Sequence, residues 1–241
     1  MNGSSNGSLH GLWSTPLPGV LLTVLAYVVF RALQDKVKGH PLANPVAWSI
    51  VVLVALIQLS GLPYPTYFGS AYFLHFLLGP ATVALAIPLA RELPRLRQLA
   101  LPIIGGLVAG NLTAILSAVL LSRMLGGDAQ VTLSLAPKSV TTPIAMGISE
   151  KIGGQPSLTA VFVIATGVIG AMLGPVVLTR VHALAPAVRG TAMGVGCHGL
   201  GTARIYQESS EAGAFSGLAM GLSGLLTSIF LPLLVRILGL R

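Results

Sequence analysis

The residues with the most capacity for chemistry lie at 134–143, which read Ser-Leu-Ala-Pro-Lys-Ser-Val-Thr-Thr-Pro. Pro137 and Pro143 each remove a backbone donor and clash with the turn before them, so one undisturbed helix cannot run through both. Between them stand Lys138 and the hydroxyls of Ser139, Thr141 and Thr142. A helix restarting near Thr141 would present unpaired N–H groups and the positive end of its dipole. Lys138 adds a full positive charge and the hydroxyls add donors, so the expected chemistry is binding of a small carboxylate. The plainer alternative is a proline kink with hydroxyls bonded to i−4 carbonyls and Lys138 snorkelling to an interface.

A second stretch, 194–204, reads Gly-Val-Gly-Cys-His-Gly-Leu-Gly-Thr-Ala-Arg. Its glycines favour an unwound or very closely packed backbone. His198 is the residue type that exchanges a proton near neutral pH, and Arg204 can fork a carboxylate. With Gly201 and Thr202 they complete the candidate binding set. The alternative is helix packing through Gly190 and Gly194, with Arg204 at the interface; Cys197 reads as a small packing residue. Glu150 and Glu208 are candidates, with His198, for a gate or a proton site. Their alternative, shared with Lys151 and Glu211, is solvated loop ends with local ion pairs. Asn111 and Thr113 would bond between helices or line a path, His75 reads as a packing histidine, and Gly170/Gly174 and Gly217/Gly221 read as helix contacts. No catalytic triad, metal-ligand spacing or phosphate loop is present in the sequence, so no enzyme, metal or cofactor is expected.

These groups must be positioned by a chain with 14 basic and 6 acidic residues in 241. Charged residues are 8%, against roughly 25% in soluble domains. Hydrophobic residues are 54%, and mean hydropathy is +0.85. So little charge cannot cover a soluble surface, which excludes a soluble enzyme, a nucleic-acid binder and a disordered chain. The expected class is an all-α polytopic membrane protein with about six to eight membrane segments, two of them broken or re-entrant. The net charge of +8 reads as positive-inside orientation and contact with anionic headgroups, because the basic residues sit at the ends of apolar runs.

Residues 1–15 read as a flexible tail and 16–241 as a single transmembrane domain. N-terminal helices are expected over 17–90 and a core with broken segments over 99–241. Expected spans are 17–33, 45–60, 68–90 (interrupted at Gly79-Pro80 and at Pro88), 99–121, 157–178 and 212–238, with 131–149 and 192–205 as the broken pair. Residues 61–67 read as an interfacial turn with belt tyrosines. If 131–149 dips in and returns, Arg180 and Arg189 fall on the side of Arg91, Arg95 and Arg97; Arg236 and Arg241 pull the other way. Weak repeats align 78–83 with 135–140 and, at an offset of 60, Thr142 with Thr202 and Gly153 with Gly213. A broken segment followed by a full span, repeated in inverted sense, is how many secondary transporters are built.

At 137–146, 153–154 and 156–160 the sequence resembles the LrgB/CidB family, as do 78–86, His198, Gly201-Thr202-Ala203 and 213–220. The likeness covers about 20–238; the polar stretch before residue 15 departs from it. The resemblance implies a multi-pass protein of the bacterial inner membrane. Bacterial members are described as antiholin-like regulators of murein hydrolase activity and lysis, acting with a small LrgA/CidA-type holin-like partner. A plastid relative exchanges glycolate for glycerate, and some bacterial relatives take part in pyruvate uptake. The family is grouped with bile acid symporter-like transporters, which have inverted repeats and crossed, broken helices.

The leading functional expectation is secondary transport of small monocarboxylates such as glycolate, glycerate, pyruvate or lactate. The alternative is an antiholin-like regulator of murein hydrolase activity. Expected partners are a small carboxylate, the lipid bilayer, an LrgA/CidA-type protein and a second copy in a homodimer; no nucleic acid is expected.

Overall fold

The computed structural model describes residues 13, 15–37, 43–77, 80, 83–84, 86–237 and 239. Most of the expected tail (all but residues 13 and 15), Arg241 and most of the 78–83 repeat lie outside the described residues. The described chain is all-helical, as expected for a polytopic membrane protein. Its contacts fall into two units, residues 1–84 and 85–241.

The first unit contains α1 (Leu17–Lys36), α2 (Pro45–Ser60) and α3 (Tyr64–Phe76). Asn44 caps α2 by accepting from the Ala47 N–H at 3.0 Å, and Gly61 ends it at φ 66°. The Gly19 N–H donates to Ser70 Oγ at 2.8 Å, which pulls α3 onto α1. Tyr67 is buried, and its hydroxyl lies 2.7 Å from Thr23 Oγ1. This corrects the belt assignment: residues 64–67 open a helix, and Tyr67 belongs to that unit's core with Ala26 and Leu53. Of the expected broken span 68–90, α3 forms the start and α4 (Ala86–Arg91), in the second unit, the end; residues 80, 83 and 84 are also helical. His75 packs against Phe68 and Tyr72, as read.

The second unit continues with α5 (Leu93–Gln98), α6 (Ala100–Met124), α7 (Ala129–Leu135), α8 (Thr142–Ile152), α9 (Pro156–Arg180), α10 (Pro186–Tyr206) and α11 (Ser210–Ile237). Helices α1, α6, α9 and α11 are each long and apolar enough to cross a membrane. Large apolar side chains such as Leu101, Leu120, Val161, Ile169, Leu225 and Ile229 lie more than half exposed on α6, α9 and α11. A hydrocarbon solvent accounts for that exposure, since water would penalise so large an apolar surface.

Hydrogen bonds fix the course of the chain. After α6 it turns at Gly126 (φ 79°), and α7 runs back along α6, with Ser122 Oγ and Thr132 Oγ1 2.8 Å apart. Helicity then stops from 136 to 141, between the two prolines. The 11 residues of α8 extend about 16 Å, half of a ~30 Å hydrocarbon core. At its end the chain is back at α7: the Gln155 N–H donates to Ser134 Oγ at 2.8 Å, and the Thr159 hydroxyl donates to the Ser134 carbonyl at 2.9 Å. The α7–α8 segment is therefore a re-entrant hairpin, and α6 ends where α9 begins.

The glycine-rich segment repeats this design from the other end. His198, at φ 42° and ψ −136°, breaks α10 into two limbs. Arg189 on the first limb meets Glu208 just after the second at 2.8 Å, which a straight helix would forbid over 19 residues. So α10 also doubles back, and α11 leaves from the end where α10 entered. The order full span, hairpin, full span occurs twice in opposite sense. The offset of 60 pairs Thr142 with Thr202, one on the second limb of each hairpin.

Candidate functional site: two hairpin tips

Each tip is held at mid-depth by contacts to the long helices. A Cβ on Gly167, in the middle of α9, would lie 2.6 Å from the His198 ring. Only glycine there admits the ring. The His198 Nε2 donates to the Val163 carbonyl at 2.9 Å. At Gly194 the first limb touches the Ser216 carbonyl and the Ala219 side chain of α11. Tight glycine packing, the alternative read from the sequence, thus coexists with a broken backbone. The Thr202 hydroxyl donates back to the His198 carbonyl at 2.9 Å and lies 2.9 Å from Ser216 Oγ. Gly201 is buried against the first limb at Met193 and Cys197. From the other hairpin, Ile144 at the start of α8 packs at Gly224, midway along α11.

The first tip carries the features that bind anions. Pro137 and Ser139 are buried, whereas Lys138, Thr141 and Thr142 are half-buried and Pro143 is exposed. Lys138 Nζ donates to Ser139 Oγ at 3.3 Å. Thr141 occupies the N-cap of α8 in extended conformation, but its side chain makes no capping bond. Pro143 supplies no donor, and the Thr142 and Ile144 N–H groups have no acceptor inside the helix. The hairpin thus ends in an uncapped helix N-terminus beside a lysine and three hydroxyls. Lys138 is also within electrostatic reach of Cys197, on the opposite tip. The two segments singled out by sequence thus come within electrostatic range of one another, from opposite ends of the unit.

Arg204 is elsewhere. Six residues beyond His198 is about 9 Å of helix. At that position Arg204 pairs with Glu208 at 3.1 Å, so it belongs to an ionic cluster at the end of the hairpin. Glu208 is held between Arg189 and Arg204, and Glu211 pairs with Arg95 at 2.7 Å. These pairs are mostly between distant residues, not the local pairs expected of loop ends. Glu150 is exposed at the opposite end of the unit. A Cβ on Gly221 would meet nothing within 4 Å, so within this chain it makes no close helix contact, unlike Gly170 and Gly174.

One group escaped the sequence reading. Arg189 was read as a helix-end charge, yet its guanidinium also donates to Thr179 Oγ1 and to the carbonyls of Ala183 and Pro175. Two of the chain's six acidic residues at 208 and 211 were the available signal for a cluster there. Asn111 was expected to bond between helices; its Oδ1 accepts from both Ser223 at 2.6 Å and Thr227 at 3.0 Å, joining α6 to α11. Thr113 lines an apolar groove of about 610 Å³ between α6 and the first limb of α10, which runs along that limb as far as Gly196.

Residues 23–237 match the model of the LrgB-like family, which spans most of the chain including both hairpins. The chain belongs to the LrgB family. LrgB relatives in Bacillus subtilis (strain 168) include YwbG, 37% identical over 90% of this chain and 96% of its own length, and YxaC, 34% identical over 90% and 94%. The protein named antiholin-like protein LrgB in Bacillus cereus (strain B4264) is 28% identical over 93% of this chain and 98% of its own. No solved structure matches this LrgB chain.

Proposed function

We propose that this LrgB chain carries small monocarboxylates, of the glycolate, glycerate, pyruvate or lactate kind, across the bacterial inner membrane. The observation that supports this is Lys138, half-buried beside the uncapped start of α8 and within electrostatic reach of the opposed hairpin. A cation at membrane depth is costly unless it has an anionic partner or a wet cavity. A substrate carboxylate is such a partner. Lys138 attracts it; Ser139, Thr141, Thr142 and the free N–H groups of α8 orient it. His198, with Gly201 and Thr202 behind it, closes the site from the second tip. Two opposed hairpins allow access from one face at a time.

Orientation follows from charge. Arg91, Arg95, Arg97, Arg180, Arg189 and Arg204 are carried towards one end of the second unit and Arg123, Lys151 and Arg236 towards the other, and on that majority the positive-inside rule turns the first end to the cytoplasm.

A second reading is an antiholin-like regulator working with an LrgA/CidA-type partner, and the name antiholin-like protein LrgB carried by the Bacillus cereus relatives favours it. Carboxylate flux and regulation of lysis are compatible in one protein. The test is uptake of labelled glycolate, glycerate, pyruvate or lactate by proteoliposomes. Uptake lost in Lys138→Ala supports the carrier. Absence of uptake for all four by monodisperse protein overturns it. Co-purification with the small partner, and rescue of a deletion phenotype by Lys138→Ala, would then favour the regulator.

A further inference from the structure

The two hairpins are closed by different chemistry. Ser134, Ser149 and Thr159, which tie α7 and α8 to α9, are fully buried and neutral, and the Thr159 hydroxyl reaches Ser149 Oγ at 2.7 Å. Opening that hairpin strands hydroxyls and a carbonyl in apolar surroundings. The α10 hairpin is closed by Glu208 between Arg189 and Arg204, whose side chains are 29%, 13% and 22% exposed. Water reaches these ions and can replace each partner as it separates. Beneath them Met193, Cys197, Ile205 and Ala212 form an apolar plug between the limbs, backed by Leu178 of α9. Below the plug is the tip that faces Lys138.

We propose that Glu208 is a built-in carboxylate occupying a two-arginine carboxylate site, and that it latches the α10 hairpin over the plug. The α10 hairpin is then the moving gate, and the α7–α8 hairpin is the fixed wall. A carboxylate solute arriving from the arginine-rich end competes with Glu208 for Arg189 and Arg204. Release of Glu208 frees the second limb, the plug parts at Met193 and Ile205, and the path to the tip opens. The purpose of this latch rests on the carrier reading, but its existence does not require transport.

The chain supplies its own probe. Cys197 is its one cysteine, buried in the plug. A cysteine held in apolar packing is inert and reacts once water reaches it. The experiment follows N-ethylmaleimide labelling of Cys197 in the full chain in detergent. Glu208→Gln is expected to raise the rate at least ten-fold, and so is Arg189→Gln. The exchanged pair Arg189→Glu/Glu208→Arg is expected to return it towards the wild-type value. In wild-type protein, 0.2 M sodium acetate should accelerate labelling more than sodium chloride at the same ionic strength. Equal rates in wild type and Glu208→Gln, with both monodisperse, overturn the latch. If the variants do not fold, the acetate comparison decides alone: no acceleration over chloride overturns the proposal. Faster labelling without any uptake in liposomes would retain the latch and remove the carrier reading.

Discussion

The His198 ring donates from Nε2 to the Val163 carbonyl at 2.9 Å, and this one bond pins the reversal of α10 to the middle of α9. A carbonyl only accepts, so the proton sits on Nε2 and Nδ1 is left for a ligand or a second proton. The same residue stands at φ 42°, in the region that favours glycine, at a cost of about 1–3 kcal/mol.

His198→Ala and His198→Gly should therefore rank opposite to their usual helix order. Both lose the bond to Val163, but glycine also relieves the strain. In a helix interior alanine is the more stable by about 1 kcal/mol. Here glycine should be the more stable by about 1–3 kcal/mol. Thermal unfolding of the two variants in detergent checks this, and alanine melting at or above glycine refutes it.

Thr159 closes the first hairpin. Thr159→Val leaves the Ser134 carbonyl and the Ser149 hydroxyl short of a partner, at an expected cost of about 1–3 kcal/mol. Thr159→Ser keeps the hydroxyl and should lose much less. Equal melting temperatures for the two would show that the network does not hold the hairpin.

Gly167 and Gly221 separate crowding from helix propensity. Gly167→Ala drives a methyl to 2.6 Å from the His198 ring and 2.7 Å from Leu200, so it should destabilise by about 1–3 kcal/mol. Gly221→Ala meets nothing within 4 Å and should be neutral, or stabilising by up to about 1 kcal/mol. Unfolding temperatures of the pair give the comparison.

Asn111 should show strong non-additivity. Asn111→Leu strands the hydroxyls of Ser223 and Thr227 and should cost about 1–3 kcal/mol. Adding Ser223→Ala and Thr227→Val removes the stranded groups and should recover much of that loss. A triple variant as unstable as the sum of its parts would refute the shared-acceptor arrangement.

Much of this architecture was legible in the chain. Pro137 and Pro143 forbid a continuous helix by covalent geometry, so the break between them could be read directly. The glycines around His198 marked the second irregular segment in the same way. The long apolar runs of α6, α9 and α11 were equally plain. Tyr67 was misread because tyrosine suits both a membrane interface and a core, and only its hydroxyl contact with Thr23 decides between them. Arg204 was misplaced because distance along a sequence does not say which end of a reversed limb a residue reaches.

By itself the sequence determined the solvent, the helical class and the two places where helices fail. These depend on composition and on local sterics, which each residue carries with it. The tertiary structure decided that both broken segments turn back, that they enter from opposite ends, and that Lys138 comes within electrostatic reach of Cys197. It also decided that Arg204 serves Glu208 at the end of a hairpin and lies apart from the lysine. The reason is that reversal is set by contacts between residues far apart in the chain, such as Ser134 with Gln155 and Arg189 with Glu208, and no local pattern encodes those pairings.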